Sequence, residues 1–270
     1  MTGGTSGLGL AMAAALARAG VRVAIGGRSG QRAAETAARL GSEAGSEGEA
    51  GSEAGSEGEA RNEAGNGSER ALGVELDVRD EASVATAIET AWERLGGIDM
   101  LVNNAGIGMR TVNPAFITEP RGFWTVSPDG FRDVIATNLT GYFLVAREIT
   151  PRMLAAGHGR IVNISVNTST LTRAGYVPYG PSRAGSEALT RAMAADLRGT
   201  GITVNTLLPG GATRTGMVPE EAIVVGRALM EPQIMGPPIV WLASAEAAGA
   251  SDERIVAAEF TEWLDAWRSR

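Results

Sequence analysis

Short apolar runs alternate with helical stretches along most of this chain, and that alternation restricts its fold more than any other feature. A glycine-rich opening leads into a helix ending near Gly20, then an apolar strand Val21–Ile25 and a helix around Gln31–Leu40. Further on come a strand at Ala71–Leu76, a helix Glu81–Leu95 behind Asp80 as its cap, and a strand Met100–Val102. Ser127-Pro128 reads as an N-cap followed by proline at the first helical position, opening a long helix through Asn138 towards Met153. A strand Arg160–Ser165, a helix Ser182–Leu197 and a strand Thr203–Leu208 complete the series. Strands that alternate with helices pair in parallel and are covered on both faces, which predicts a single α/β domain with a doubly wound sheet.

The opening Thr2-Gly3-Gly4-Thr5-Ser6-Gly7-Leu8-Gly9 has glycines where a tight turn lets a pyrophosphate approach the backbone at a helix N-terminus. Alone, such glycines also fit an ordinary loop. A phosphate-binding turn of this kind follows a strand, whereas only Met1 precedes this one. The expectation is therefore a sheet apparently lacking its first, central strand, roughly 6–10 residues lost through a mis-called start or a truncated gene.

The charge is concentrated in one place. Residues 41–50, GSEAGSEGEA, are repeated letter for letter at 51–60, and with RNEAGNGSER they form a Gly/Ser/Glu/Ala tract over 41–70. It lacks large apolar residues and cannot offset the entropy of ordering, so it reads as a low-complexity, acidic, disordered insertion. The tract holds eight of the 31 acids and two of the 24 bases; the other 240 residues carry 23 acids, 22 bases and a net charge of −1, not the −7 of the whole chain. A nearly neutral body argues against general nucleic-acid affinity.

Composition removes several chemistries. There is no cysteine, so disulfides, thiolate metal sites and a cysteine nucleophile are excluded, and one histidine, His158, makes neither a zinc site nor a convincing serine–histidine triad. His158 lies in Ala156-Gly157-His158-Gly159 and reads as a solvated loop residue. Every basic residue is an arginine, which excludes Schiff-base chemistry. No apolar stretch approaches the ~18–20 residues of a membrane span. Leu8, Met12 and Leu16 recur at helical spacing, marking a buried helix rather than a signal-peptide core. The reading is a cytoplasmic protein with no membrane and no metal.

Three further segments stand at strand ends or helix starts, the rim where open α/β sheets bind ligands. They are Asn103-Asn104-Ala105-Gly106, Tyr179-Gly180-Pro181-Ser182-Arg183 and Pro209-Gly210-Gly211. With the glycine turn and the helix asparagine Asn138, they occur in an order and at separations that resemble the short-chain dehydrogenase/reductase family. The likeness runs from residue 2 to about residue 260, the insertion excepted. It implies a Rossmann-type fold, a nicotinamide cofactor and a homo-oligomer, tetramer or dimer.

The resemblance also implies roles. Gly3, Thr5, Ser6, Gly7, Leu8 and Gly9 would bind the pyrophosphate, and Asp77-Val78 the adenine, although Asp77 also fits a plain helix cap. Asn104, Ala105 and Gly106 would line the adenosine side, with Asn104 bracing the sheet, and Pro209, Gly210 and Thr213 would meet the nicotinamide end. At the end of the second strand, Gly27 takes the position where an acid would favour NAD, and Arg28 follows, so NADP is preferred over NAD.

In the family a tyrosine is the general acid/base, and a phenol that titrates near 10 in water needs a nearby positive charge. Tyr179 fills that place. The usual lysine, four residues on along the same helix face, is Arg183, which keeps the charge but is longer and points its donors differently. Tyr179 and Arg183 would also touch the cofactor. The serine that positions the substrate oxygen falls by spacing on Val166; Ser165, one residue off, is the residue assigned to the role through a compensating bulge, with Asn167 or Thr168 as substitutes. Asn138 matches the residue that holds a proton-relay water, and also fits an amide capping a helix kink.

The expected activity is hydride transfer between nicotinamide and a small ketone or secondary alcohol, with Tyr179 as acid/base. Tyr176–Ala188 and Leu207–Met217 look like family members labelled 3-oxoacyl-carrier-protein reductases. Phe116, Phe123 and Trp124 in the loop Ile107–Thr125 suggest an apolar substrate wall, while Trp241, Trp263 and Trp267 read as core or subunit-contact aromatics. The alternative is a catalytically impaired dinucleotide-binding protein with a regulatory or partner-binding role.

Overall fold

Six strands lie parallel in a computed structural model that describes residues 1–49, 70–218 and 228–270. β1 (Val23–Gly27) pairs with β2 (Ala71–Glu75). β3 (Met100–Asn103), β4 (Gly159–Ile164), β5 (Ile202–Leu208) and β6 (Arg254–Val256) pair in that order. Met1 and Thr2 join the two groups. The Met1 nitrogen donates to the Ala24 carbonyl, Gly26 N–H donates to the Met1 carbonyl, and Thr2 N–H donates to the Val102 carbonyl. Among the described residues these two hold the place between β1 and β3, where the sequence predicts an absent central strand. A cavity of about 540 Å³, walled by residues that include Val23, Val74, Leu101 and Ile149, opens beside them.

Alternation along each strand sorts its side chains to two cores. Val102, Val162, Ile164 and Leu207 pack with Met12, Leu16 and Trp241 on one face, while Leu101, Ile161, Ile202 and Val204 pack with Ile88 and Ile149 on the other. Helix α1 (Gly7–Arg18) covers the first face; α3 (Glu81–Leu95) and α5 (Gly141–Ala156) cover the second. Trp241 meets Phe260, Trp263 and Trp267 at centroid distances of 5.1–6.1 Å, a core cluster. No described helix is long and apolar enough to cross a membrane.

Two boundaries differ from the sequence reading. Helix α2 spans Gly30–Glu49 and so continues into residues 41–49 of the acidic tract. The buried anchors Ala33, Ala37 and Leu40 all precede the tract, and the helix continues past them although Gly41, Gly45 and Gly48 are poor helix formers. The remainder of the tract, up to residue 69, lies outside the described residues. The helix expected to run from Ser127 towards Met153 is interrupted. Ser127 caps α4 (Pro128–Ile135), accepting from Gly130 N–H, and a π-turn over Ala136–Thr140 separates it from α5.

Candidate active site

The rim above the strand ends is built from backbone that admits no extra atoms. Gly3 and Gly7 have positive φ, +62° and +54°, and a Cβ on Gly9 would lie 2.3 Å from the Gly3 carbonyl oxygen. Asn104 fixes this turn, donating through Nδ2 to the Thr2 and Gly3 carbonyls, while Thr2 Oγ1 accepts from Asn104 and Ala105 N–H. Asn104 thus braces the turn from across the sheet. Ser6 stands at the N-cap of α1 without capping it through its side chain, so the first-turn amides are not taken up by that hydroxyl. Thr5, Ser6 and Leu8 sit on this turn with Gly7.

At the neighbouring strand end, Asp77 is gripped by Arg79, which the sequence reading missed. Arg79 donates to it through Nε at 3.0 Å and Nη2 at 2.7 Å. That contact holds the Asp77 carboxyl below the usual range; partial burial opposes it, and Arg28 adds in the lowering direction. Arg28, exposed after Gly27, therefore shares its surroundings with Asp77. Asp77 is not the cap of α3: that is Asp80, which accepts from Ser83 N–H at 2.7 Å. Val78 is buried, and a Cβ on Gly141 would meet it at 2.7 Å.

Helix α7 (Tyr179–Asp196) presents Tyr179, Ser182 and Arg183 on its buried side. Asn138, in the π-turn and fully buried, grips the loop after β3: Oδ1 accepts from Ile107 N–H at 2.9 Å, and Nδ2 donates to the Ile107 carbonyl and to Ser182 Oγ. It ties the glycine-rich rim to the helix that carries Tyr179. A π-turn spent on a side chain of this kind is a common device at functional sites.

Arg183 is 3% exposed. Its Nη1 donates to the Tyr142 hydroxyl at 2.6 Å and to the Ile164 carbonyl at 2.9 Å. Its guanidinium carbon lies 5.5 Å from the ring centroids of both Tyr142 and Tyr179. Gly106 makes room for it, since a Cβ there would come within 2.3 Å of Nη2. Burial works against the arginine's charge, but the two phenols outweigh it and hold its pKa above the ordinary value. Burial pushes the Tyr142 phenol up, with Arg183 opposing.

Tyr179 belongs to a small apolar cluster with Met109, Phe116 and Tyr176, against which Val112, Ile117, Val166 and Met217 pack. Phe116 is thus part of the wall, whereas Phe123 and Trp124 are 67% and 77% exposed and stand outside it. Ser165, the expected oxygen donor, is buried at the end of β4. Its hydroxyl donates to Glu187 at 2.5 Å, and Val166, the next residue, takes the face towards Tyr179. Asn167 donates instead to the Gly210 carbonyl, fixing the turn after β5. Gly210 has φ +99°, and Thr213, buried in the following segment, donates to the Gly211 carbonyl. His158 is exposed and bonded to Asp99 at 2.9 Å, far from this cluster in role.

A family model described as short chain dehydrogenase matches residues 50–223. The chain belongs to that family. Among curated relatives of this short-chain dehydrogenase, the 3-oxoacyl-(acyl-carrier-protein) reductase of Vibrio harveyi is 31% identical over 196 residues, 69% of this chain and 76% of the relative. The acetoacetyl-CoA reductase of Rhizobium meliloti is 36% identical over 63% of this chain and 70% of its own length. A solved 3-ketoacyl-(acyl-carrier-protein) reductase from Brucella melitensis, complexed with NADH, superimposes with a TM-score of 0.73 at 26% identity, covering 94% of this chain and 93% of that one. These likenesses establish the Rossmann-type fold and an oxidoreductase family.

The residues of this short-chain dehydrogenase fit a dinucleotide. The turn at Gly3, Gly7 and Gly9 leaves no Cβ in the way, and the α1 amides are uncapped by Ser6. Arg183 Nε is buried without a hydrogen-bond partner among the described residues, the kind of donor that a bound hydroxyl satisfies.

Proposed function

We propose that this chain is an NADP(H)-dependent reductase of small ketones, 3-oxoacyl thioesters among them, that also oxidises the corresponding secondary alcohols. The observation that carries the reading is the Arg183 guanidinium, buried 5.5 Å from the Tyr179 ring centroid within an apolar wall. A bound nicotinamide would supply the hydride for reduction and take it up in oxidation. Tyr179 gives its phenolic proton to the carbonyl oxygen in one direction and takes it from the alcohol in the other. Arg183 keeps positive charge beside the phenolate that this leaves, where low dielectric makes the charge count. Met109, Phe116 and Val166 keep water from the reacting carbon and face the apolar part of the substrate.

Gly3, Thr5, Ser6, Gly7, Leu8 and Gly9 hold the pyrophosphate in this reading, Asp77 and Val78 the adenine, and Asn104, Ala105 and Gly106 the adenosine side. Pro209, Gly210 and Thr213 meet the nicotinamide end. Gly27 and Arg28 favour NADP, because an arginine pairs with a 2′-phosphate and no acid competes for the ribose. Asn138 keeps this rim in register with α7. The names of the two curated relatives support the thioester class, and the enzyme reading is preferred to a silent dinucleotide-binding protein. A homo-oligomer follows from family likeness, and light scattering on the purified protein tests it.

The test is NADPH oxidation with acetoacetyl-CoA and a panel of small ketones. Turnover is expected with NADPH preferred over NADH, and Tyr179→Phe is expected to lower it at least about 100-fold. Intact dinucleotide binding with no turnover on any carbonyl would overturn the reading.

A further inference from the structure

We propose that Tyr142 is the positioning residue that makes an arginine workable at position 183. The inference rests on the acid/base reading of Tyr179 given above. An ammonium on a flexible stem turns its three protons wherever acceptors lie; a guanidinium is a flat fork whose direction must be set by partners on its edges. Arg183 has such a partner in Tyr142. This tyrosine stands on α5, two residues after the π-turn that holds Asn138, and is fully buried.

The geometry closes around one carbonyl. The Tyr142 hydroxyl donates to the Ile164 carbonyl at 3.2 Å and accepts from Arg183 Nη1 at 2.6 Å, while the same Nη1 donates to that carbonyl at 2.9 Å. Three groups from α5, β4 and α7 thus meet at the end of β4. The two tyrosine rings lie at equal distances from the guanidinium carbon, and Gly106 bounds Nη2. With Nη1 fixed on both its acceptors, the plane of the fork is set, and Nε is a buried donor without a partner among the described residues. Removing the hydroxyl of Tyr142 leaves Nη1 on one carbonyl, and the plane is no longer defined by two points on the protein.

The experiment is a double-mutant cycle with a spectroscopic arm. Tyr142→Phe keeps the ring in the core and removes only the hydroxyl. In the native background it is expected to lower kcat about 10-fold, with KM for the carbonyl within about 2-fold. In the Arg183→Lys background the same substitution is expected to change kcat by less than about 2-fold, because an ammonium does not depend on the fork's second anchor. A role for Tyr142 in core packing alone would lower both backgrounds equally, and that outcome overturns the proposal.

The second arm does not depend on turnover. In side-chain nitrogen NMR, Arg183 is identified by the resonances that vanish in Arg183→Lys. Its two Nη signals are expected to be separate in the native protein, because the anchored fork does not rotate, and to merge in Tyr142→Phe. Separate signals in both overturn the proposal, whatever the activity. If no carbonyl is reduced, the enzyme reading fails while this arm still decides the anchor.

Discussion

Ser165 donates its hydroxyl to Glu187 at 2.5 Å, while Val166, the next residue, packs against the Tyr179 cluster. A donor to the carbonyl oxygen beside the phenol strengthens as charge develops there. Val166→Ser is therefore expected to raise kcat for small ketones about 10-fold, with little change in NADPH affinity. Steady-state kinetics on purified variants check this, and an unchanged or lower kcat would sink it.

Glu187 also binds Arg254, through Nε at 3.1 Å and Nη2 at 3.2 Å, and Arg254 Nη2 reaches the Val166 carbonyl at 2.9 Å. The carboxylate therefore ties β4, α7 and β6 together below the site. Glu187→Ala leaves the Ser165 hydroxyl and a partly buried guanidinium without it. Because the Arg254 side chain is 35% exposed, the cost is set below that of a fully buried pair, at about 2 kcal/mol. A fall in Tm of roughly 4–8 °C is expected in thermal denaturation. No change would mean that solvent replaces the network without loss.

Much of this was legible in the residues themselves. The strands, the glycine turn and the shared helix face of Tyr179 and Arg183 follow from local period, turn chemistry and i,i+4 geometry, whereas Asn104 and Asn138 are singled out only by the family resemblance. The bond made by Ser165 was not legible, since its partner Glu187 lies 22 residues further along the chain. Nothing in the sequence singles out Tyr142; its role comes from the carbonyl of Ile164 and the guanidinium of Arg183 that its hydroxyl meets. Arg79 reads as a charge in a turn until its fork is seen on Asp77. The extension of α2 into the acidic tract is not legible locally, because neither the apolar content nor the helix propensity of GSEAGSEGE points to it.

Arg28 gives a prediction on cofactor choice. It stands exposed beyond β1, close enough to Asp77 to influence its carboxyl, while Arg79 is already committed to that carboxylate. Arg28→Ala is expected to weaken NADPH binding roughly 10–100-fold and to leave NADH within about 3-fold. Fluorescence titration with the two cofactors measures both. An equal loss for both would place Arg28 outside the 2′-phosphate site.

Gly106 offers a test of the space beside Arg183. A Cβ there would lie 2.3 Å from Arg183 Nη2 and 3.2 Å from Asn138 Oδ1. The guanidinium is held at Nη1 by Tyr142 and the Ile164 carbonyl, so it cannot swing away without losing those bonds. Gly106→Ala should lower kcat about 10-fold or more and reduce Tm, and Gly106→Ala with Arg183→Lys should regain part of the Tm because the shorter ammonium vacates the clash. Failure of the second substitution to restore any stability would show that Gly106 is needed by the backbone rather than by Arg183.

The single histidine predicts a pH dependence of stability far from the site. His158 bonds Asp99 through Nε2 at 2.9 Å and the Ala156 carbonyl through Nδ1 at 3.1 Å. The bond to Asp99 comes first among the causes that raise its pKa, with the Ala156 carbonyl next. The folded chain therefore binds this proton more tightly than the unfolded chain, so the contribution is fully present below the unfolded imidazole pKa and is lost as pH rises through the folded one. The pair is exposed, so solvent and salt keep the effect small. Asp99→Asn is expected to lower Tm at about pH 5.5 and to leave it unchanged at about pH 8.5, where the native ring is neutral. An equal difference at both pH values would mean that Asp99 acts on the turn through some contact other than the protonated ring.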